Sequence, residues 1–173
     1  MYQIGIDATK LCKDEFNVIN HGDFHVNNML FRYDNDGKPI DHIFVDFQLC
    51  VYTIPVHDLI YFLNTSPSLD IMENKKIIPL NEYLDTLSVT MKQLNCKTQT
   101  PTMEELKVTT KRKASYEMIV FFVILPLLLC SKAKAKDLDE LSSDGNPGVK
   151  SENFIKLMIK RLPLYDEWGL LDL

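Results

Sequence analysis

The sequence predicts a mainly helical α+β domain with a small β-hairpin near its N-terminal end, and three observations support this class. The length of 173 residues suits one domain with its own hydrophobic core. Residues 18–54 read as short strands and turns, whereas apolar residues recur at helical spacing in almost everything after Pro55. With 46% hydrophobic and 25% charged residues, the composition excludes wholesale disorder.

The hairpin comes early in the chain. Met29–Tyr33 and His42–Asp46 are short apolar runs rich in aromatic and β-branched residues, and they predict its two strands. Residues 34–39 between them read Asp-Asn-Asp-Gly-Lys-Pro, a dense cluster of turn formers. With the turn centred on the glycine–lysine pair, Met29 is expected to face Asp46.

The elements outside the hairpin are one short strand and several helices. Val18–Asn20 is a β-branched run that predicts the strand. Pro55 suits a first helical turn, and an apolar stripe follows it. Thr102 with Glu105 three residues later forms a capping-box pattern and opens a helix through Lys113. Helical spacing predicts two more helices, with Leu80, Leu84, Leu87, Met91 and Leu94 in the first and Phe154, Leu157, Met158 and Leu162 in the second.

One apolar run tests whether the chain enters a membrane. Met118–Cys130 contains thirteen apolar residues without a charge. A helical membrane span needs about 20 residues, and charged residues flank this run on both sides. Pro126 would also kink the helix. We therefore expect a helix buried on all sides in a globular core, and no membrane span.

Charge and cysteine content bear on partners and location. Nineteen Lys and Arg against twenty-four Asp and Glu leave a net charge of −5, which does not favour nucleic acid or anionic lipid as a main partner. The four cysteines are scattered without a C-x-x-C pair, and the N-terminus lacks the basic and apolar segments of a signal peptide. A reducing, cytoplasmic location is expected.

Polar residues of the types that bind metals or transfer protons are concentrated in residues 21–28, and Asp46 and Asp58 follow further along the chain. The expected pairing puts Asn28 one step from Asp46, within the roughly 5–8 Å between neighbouring cross-strand side chains. An amide oxygen and a carboxylate at that separation can converge on Mg²⁺, which takes oxygen ligands and keeps waters and substrate phosphates in its other positions. Asp23, on the loop before Asn28, can orient a substrate hydroxyl or accept its proton.

The same residues follow the order of two protein-kinase segments. In kinases, H-R-D-x-x-x-x-N precedes an Asp-Phe-Gly whose Asp binds Mg²⁺. Here the chain reads His21-Gly22-Asp23, four residues, Asn28, and then Asp46-Phe47-Gln48. Because a predicted hairpin separates the two segments as well, chance explains the match poorly.

His-Gly-Asp in place of His-Arg-Asp resembles the choline kinase and aminoglycoside phosphotransferase group, which phosphorylates small molecules on a protein-kinase-like fold. The longer string HGDFHVNNMLFRYD…IFVDFQ…PVHDLIYFLNTS resembles more narrowly the ecdysteroid kinase-like family, also called CHK kinase-like and abundant in insects. The resemblance runs on through FFVILPLLL to the closing YDEWGLL. It implies ATP- and Mg²⁺-dependent phosphoryl transfer to a small-molecule alcohol, with a steroid alcohol suggested by the family.

The resemblance also implies a role for each residue of the constellation. Asp23 would be the catalytic Asp, and His21 would brace the catalytic loop. Asn28 and Asp46 would bind magnesium and, through it, the cofactor phosphates. Asp58 would give structural support by hydrogen-bonding the backbone of the catalytic loop.

Such kinases begin with a sheet-rich N-terminal lobe that carries a loop over the ATP phosphates and a strand lysine. Only twenty residues precede His21, and Gly5 stands alone without a glycine-rich loop. Residues 1–173 are therefore expected to form one kinase-like C-terminal lobe, with catalytic loop and hairpin in 18–50 and a helical part in 55–173. The missing lobe implies an exposed apolar surface, self-association through it and no useful activity of the chain alone.

Two other functions stay open. One is a non-catalytic kinase-like remnant that serves as a binding module. The other is a metallohydrolase, in which alternation along an extended stretch puts His21, Asp23 and His25 on one face. The residues that would complete its metal cluster are His42, Asp46 and His57. In the kinase interpretation, His42 and His57 are surface histidines instead.

Overall fold

A computed structural model describes residues 10–11, 13–130 and 147–171 of the chain. Its described strands are β1 (Val18–Asn20), β2 (Met29–Tyr33), β3 (Pro39–Phe44) and β4 (Val51–Thr53). They form two separate antiparallel pairs, β1 with β4 and β2 with β3. The chain divides into two compact units, Met1–Lys113 and Ala114–Leu173. Helices account for most of the regular structure, so the mainly helical α+β class is confirmed.

The β2–β3 hairpin is present, but two details of its prediction are wrong. β3 ends at Phe44 and does not reach Asp46, and Met29 faces Phe44. The cause is the side chain of Asp34, whose Oδ1 accepts hydrogen bonds from the backbone N–H groups of Asp36 at 3.0 Å and Lys38 at 2.8 Å. These bonds close the turn earlier than a turn centred on the glycine–lysine pair, which shifts the register by two residues.

Four helices follow in the first unit: α1 (Val56–Thr65), α2 (Leu69–Asn74), α3 (Ile77–Gln93) and α4 (Met103–Arg112). The helices predicted after Pro55, along the leucine stripe and from the capping box are confirmed. The hydroxyl of Thr102 accepts the N–H of Glu105 at 3.2 Å, and the Glu105 carboxylate accepts the N–H of Thr102 at 2.7 Å. Sequence patterns did not indicate β4 or α2, which span three and six residues and are too short to show a period.

The core of the first unit lies around α1. Ile60 and Leu63 of α1 are almost fully buried, as are Val56 at its start and Leu106 of α4. Both α1 and α3 contact α4. Burial of one face makes α1 a fixed support for the loops that lie against it.

The second unit contains α5 (Ala114–Ile119), α6 (Leu125–Leu128) and α7 (Glu152–Glu167). The predicted last helix is confirmed as α7. The apolar run is not one helix buried on all sides: α5 passes into a π-helical turn at Val120–Ile124, and Val123 is 37% exposed. Pro126 lies in the first turn of α6, and because proline has no N–H to donate, an uninterrupted α-helical ladder is impossible here. A 3₁₀ turn, Pro147–Lys150, precedes α7.

No helix in the described ranges combines the length and the apolar character needed to cross a membrane.

Candidate functional site

The loop between β1 and β2, residues 21–28, carries the predicted catalytic residues. Gly22 in this loop has a φ of +85°. A Cβ atom there would lie 1.9 Å from the main-chain oxygen of Leu49, in the 3₁₀ turn Phe47–Leu49. Only glycine fits, because the positive φ disfavours a side chain and the close approach of Leu49 leaves no space for one. The loop therefore lies directly against the segment that follows Asp46.

Helix α1 holds this loop through its backbone. The carboxylate of Asp58, in the first turn of α1, accepts hydrogen bonds from the N–H groups of His21 at 2.5 Å and Gly22 at 3.0 Å. At the other end of the helix, the hydroxyl of Ser66 accepts the N–H of Val26 at 2.9 Å. The backbone path of the loop is thus fixed at both ends by side chains of one buried helix and its C-cap.

Asp23 is held by hydrogen bonds from two side chains and contacts a third. Its Oδ1 accepts a hydrogen bond from the hydroxyl of Tyr61 at 2.6 Å, and its Oδ2 accepts one from Nδ2 of Asn28 at 3.0 Å. Nε2 of His25 lies 3.4 Å from Oδ1. The Asp23 side chain is nevertheless 25% exposed. The site therefore presents a carboxylate of fixed orientation that solvent, or a ligand, reaches.

The amide of Asn28 has one possible orientation. Its Nδ2 donates to the main-chain oxygen of Asp23 at 2.8 Å as well as to the Asp23 carboxylate. A flipped amide would set its oxygen against these two acceptors, so the flip is excluded. Asn28 is 8% exposed, and its Oδ1 accepts no hydrogen bond from any residue that the structure describes. This oxygen is free to bind a cation.

Asp46 comes directly after a residue that is bonded to Asn28. The N–H of Val45 donates to the main-chain oxygen of Asn28 at 3.0 Å, one residue beyond the end of β3. The backbone of Asp46 is left-handed, with φ 67° and ψ 58°, a region that few residues other than glycine enter. The side chain is exposed and makes no polar contact with the described part of the chain. One carboxylate and one amide oxygen suit Mg²⁺, which commonly completes its shell with water and substrate phosphates.

His21, the first residue of the loop, is buried. Its Nε2 lies 2.8 Å from the main-chain oxygen of Val45, and because a carbonyl only accepts, Nε2 carries the proton. Its Nδ1 is buried without a hydrogen-bond partner in the described residues. The ring contacts Phe47 at a centroid distance of 4.8 Å. His21 therefore ties the 21–28 loop to the residue before Asp46.

The cluster expected of a metallohydrolase is not formed. The left-handed Gly22 interrupts the stretch, so His21, Asp23 and His25 do not alternate as in a strand. Across the described ranges, no three His, Cys, Asp or Glu side chains are placed to hold a metal ion together. The expectation of a surface position holds for His42 but is wrong for His57, which is 6% exposed because it lies in the buried first turn of α1.

Tyr61, Asn20 and Ser66 contribute to the site but were not predicted from the sequence. Tyr61 lies one helical turn after Asp58, so its position on the same face of α1 is the signal that was available. Asn20, 1% exposed, accepts the N–H of Asp58 at 3.3 Å and donates to the main-chain oxygen of Thr53 at 3.0 Å. It thereby joins the start of α1 to both strands of the β1–β4 pair.

Tyr83 of α3 lies in the electrostatic environment of Asp58. Burial raises the pKa of Tyr83 to about 12, and the negative charge of Asp58 contributes in the same direction. The phenol therefore stays neutral at physiological pH.

Residues 1–96 match the family model described as the ecdysteroid kinase-like family. The matched region is more than half of the chain and includes β1–β4, α1 and every residue of the site described above. The resemblance in the C-terminal part of the sequence lies outside the matched residues. No match is found among curated proteins or among solved structures. On the strength of the family match, the chain belongs to the ecdysteroid kinase-like family.

Proposed function

We propose that the chain takes part in ATP- and Mg²⁺-dependent transfer of a phosphoryl group to a hydroxyl group of a small molecule. The observation that carries the proposal is the arrangement of Asp23, Asn28 and Asp46. Asp23 is held in place by donors on both carboxylate oxygens, whereas Oδ1 of Asn28 and the carboxylate of Asp46 have no partner in the described residues. A fixed carboxylate beside two open oxygen ligands suits phosphoryl transfer, which depends on positioning and on charge stabilisation.

In this reaction the acceptor oxygen forms a bond to the γ-phosphorus of ATP. The bond from that phosphorus to the bridging oxygen breaks, and ADP leaves with the electron pair. Asp23 orients the acceptor hydroxyl and takes its proton, a contribution worth roughly 10²- to 10⁴-fold for a positioned base. Asn28 and Asp46 would hold Mg²⁺, which when bound neutralises charge on the phosphates.

His21 and Asp58 act on this site as supports. The Nε2–H of His21 binds the main-chain oxygen of Val45, which links the loop of Asp23 to the segment of Asp46. The Asp58 carboxylate binds two successive backbone N–H groups of the same loop. The contact of Asp58 supports the loop that carries the proposed base, and the contact of His21 joins that loop to the residue before Asp46.

The family name points to a steroid alcohol as the acceptor, and we propose a cytoplasmic setting. The sequence contains neither a glycine-rich loop nor a Val-Ala-Ile-Lys-like strand. We therefore propose that the chain corresponds to the C-terminal lobe of the enzyme. Residues outside this sequence would bind the adenine and clamp the phosphates of ATP.

The test joins the chain, at its N-terminus, to the ATP-binding lobe of another family member. We expect Mg²⁺-dependent transfer from ATP to an alcohol in a panel that includes steroid alcohols, and no transfer by the 173-residue chain alone. Asp23→Ala should abolish turnover, while Asp36→Ala in the exposed hairpin turn should leave it unchanged. Turnover that survives Asp23→Ala contradicts the proposal, and a folded fusion without turnover favours the non-catalytic remnant.

A further inference from the structure

We infer that Tyr61 is a positioning residue for the transfer reaction, and that it reserves Oδ2 of Asp23 as the atom that takes the acceptor proton. The inference rests on the proposed function. It concerns the hydroxyl group of Tyr61, which lies 2.6 Å from Oδ1 of Asp23.

The position of Tyr61 on α1 makes it part of a set of contacts along one helix. Asp58 binds the backbone of the 21–28 loop, and Tyr61, one turn later, binds the side chain of Asp23. Ser66, just after the helix, binds the backbone of the same loop at Val26. The helix therefore holds both the path of the loop and the orientation of its carboxylate.

The Tyr61 side chain has little freedom to move. It is 8% exposed, and its ring is stacked on that of His25 at a centroid distance of 6.0 Å and an angle of 19°. The 2.6 Å distance to Asp23 is that of a charge-assisted O–H···O⁻ hydrogen bond. A buried, stacked ring with a short bond to a carboxylate holds that carboxylate at a defined angle.

His25 lies next to the same carboxylate oxygen. Its Nδ1 accepts the backbone N–H of Asn27 at 3.2 Å, so the proton of the neutral ring lies on Nε2. That Nε2 faces Oδ1 of Asp23 at 3.4 Å. Oδ1 therefore accepts one short hydrogen bond, from Tyr61, and the imidazole of His25 lies against the same oxygen at a longer distance.

The other oxygen, Oδ2, has a single donor, Nδ2 of Asn28 at 3.0 Å. One acceptor position on Oδ2 is therefore open. Because Tyr61 donates a short bond to Oδ1 and His25 lies against the same oxygen, the proton of the acceptor hydroxyl passes to Oδ2 of Asp23 as the new oxygen–phosphorus bond forms. Removal of the Tyr61 hydroxyl frees Oδ1, and the carboxylate can then turn away from this arrangement.

The first test uses the 173-residue chain with ¹³C-labelled aspartate carboxyl groups. The Asp23 signal is assigned by its loss in Asp23→Asn. We expect Tyr61→Phe to shift this signal and Tyr52→Phe to leave it in place, because Tyr52 is 58% exposed on β4. An Asp23 signal that is identical in Tyr61→Phe and wild type overturns the inference.

A measurement on the wild-type chain protects the test against a Tyr61→Phe variant that does not fold. The Tyr61 hydroxyl proton should exchange slowly and give a downfield signal close in space to the side chain of Asp23. A hydroxyl proton that exchanges as fast as that of exposed Tyr52 overturns the inference without any mutation at the site.

The second test uses the two-lobe fusion. We expect Tyr61→Phe to lower kcat about 10-fold, a part of the roughly 10²–10⁴-fold supplied by a positioned base, with KM for ATP unchanged. The control Tyr52→Phe should change neither. An unchanged kcat in Tyr61→Phe, or a loss confined to KM for ATP, overturns the inference. An inactive wild-type fusion that keeps the Tyr61 signature overturns the proposed function, and the role of Tyr61 in transfer fails with it.

Discussion

Oδ2 of Asp58 lies 2.5 Å from the main-chain nitrogen of His21, although 37 positions separate the two residues. The other carboxylate oxygen of Asp58 accepts the next N–H along the chain, that of Gly22. One side chain at the start of α1 thus satisfies two successive donors of the loop that carries Asp23. Stability of the first unit and geometry of the candidate site therefore depend on the same contact.

Asp58→Asn should destabilise the first unit. An amide replaces one of the two acceptor oxygens with a donor, so one buried N–H faces an NH₂ group and loses its partner. A lost bond of this kind costs about 1–3 kcal/mol in the free energy of unfolding. Urea unfolding measures the change, with Asp85→Asn on the exposed side of α3 as the matched control. Equal unfolding midpoints for the two variants would contradict this assignment.

Gly22→Ala and Gly37→Ala should differ in their effects. Both glycines have positive φ, and a left-handed alanine costs about 1–2 kcal/mol. At Gly37 a Cβ atom meets open space, whereas at Gly22 it lies 1.9 Å from the main-chain oxygen of Leu49. We expect Gly22→Ala to lower the stability of the folded chain clearly more than Gly37→Ala, because at Gly22 the backbone must also move to relieve the clash. Thermal unfolding of both variants decides the comparison, and similar losses would refute the close approach.

Asn28 and Asp46 should form a weak site for a divalent cation. Two protein oxygens and several waters are enough for binding of this kind. Calorimetric titration with Mg²⁺ or Mn²⁺ should give heats of binding that Asp46→Ala abolishes and that Asp36→Ala in the hairpin turn preserves. Identical heats for wild type and Asp46→Ala would rule out Asp46 as a ligand.

Removal of one partner of the ion pair in the second unit should lower the stability of that unit. Nη1 of Arg161 lies 2.5 Å from Oε1 of Glu117, and the two side chains are only 12% and 9% exposed. Removal of one partner from a buried pair costs about 3–5 kcal/mol, because the other charge stays buried. We expect this loss for Glu117→Ala and a smaller loss for Glu117→Leu combined with Arg161→Met. A double variant as unstable as the single one would show that packing, not charge, determines the effect.

The β2–β3 hairpin should make the chain self-associate. Leu30 and Ile43 face each other across the two strands and are 55% and 59% exposed, and Phe47 nearby in sequence is 56% exposed. Exposed apolar surface of this kind favours association. Sedimentation should show dimers or larger species, and Leu30→Thr with Ile43→Thr should reduce them, unlike Val108→Thr on α4. A monodisperse wild-type monomer that binds no ANS would contradict this expectation.

Local pattern was sufficient for much of the fold. β1 and β2 have the predicted bounds, and α1, α3, α4 and α7 occur where apolar spacing, Pro55 and the Thr102–Glu105 capping box place them. These signals involve residues only a few positions apart, so they can be recognised in the sequence without knowledge of the tertiary structure. The motif formed by Asp23, Asn28 and Asp46 could be recognised for the same reason.

Other features required contacts that no local pattern contains. The hairpin register depended on which backbone groups the Asp34 side chain bound, and β4 formed because it pairs with β1. His57 was expected at the surface, yet burial of α1 encloses it.

The sequence by itself determined the types of most elements and the chemical character of the site residues, because propensity, capping and motif spacing are properties of neighbouring positions. The tertiary structure alone decided that Tyr61 meets Asp23 across 38 positions, and that Oδ1 of Asn28 is left without a partner among the described residues. These relations depend on how a buried helix lies against a loop, and packing sets that geometry only when distant parts of the chain come together.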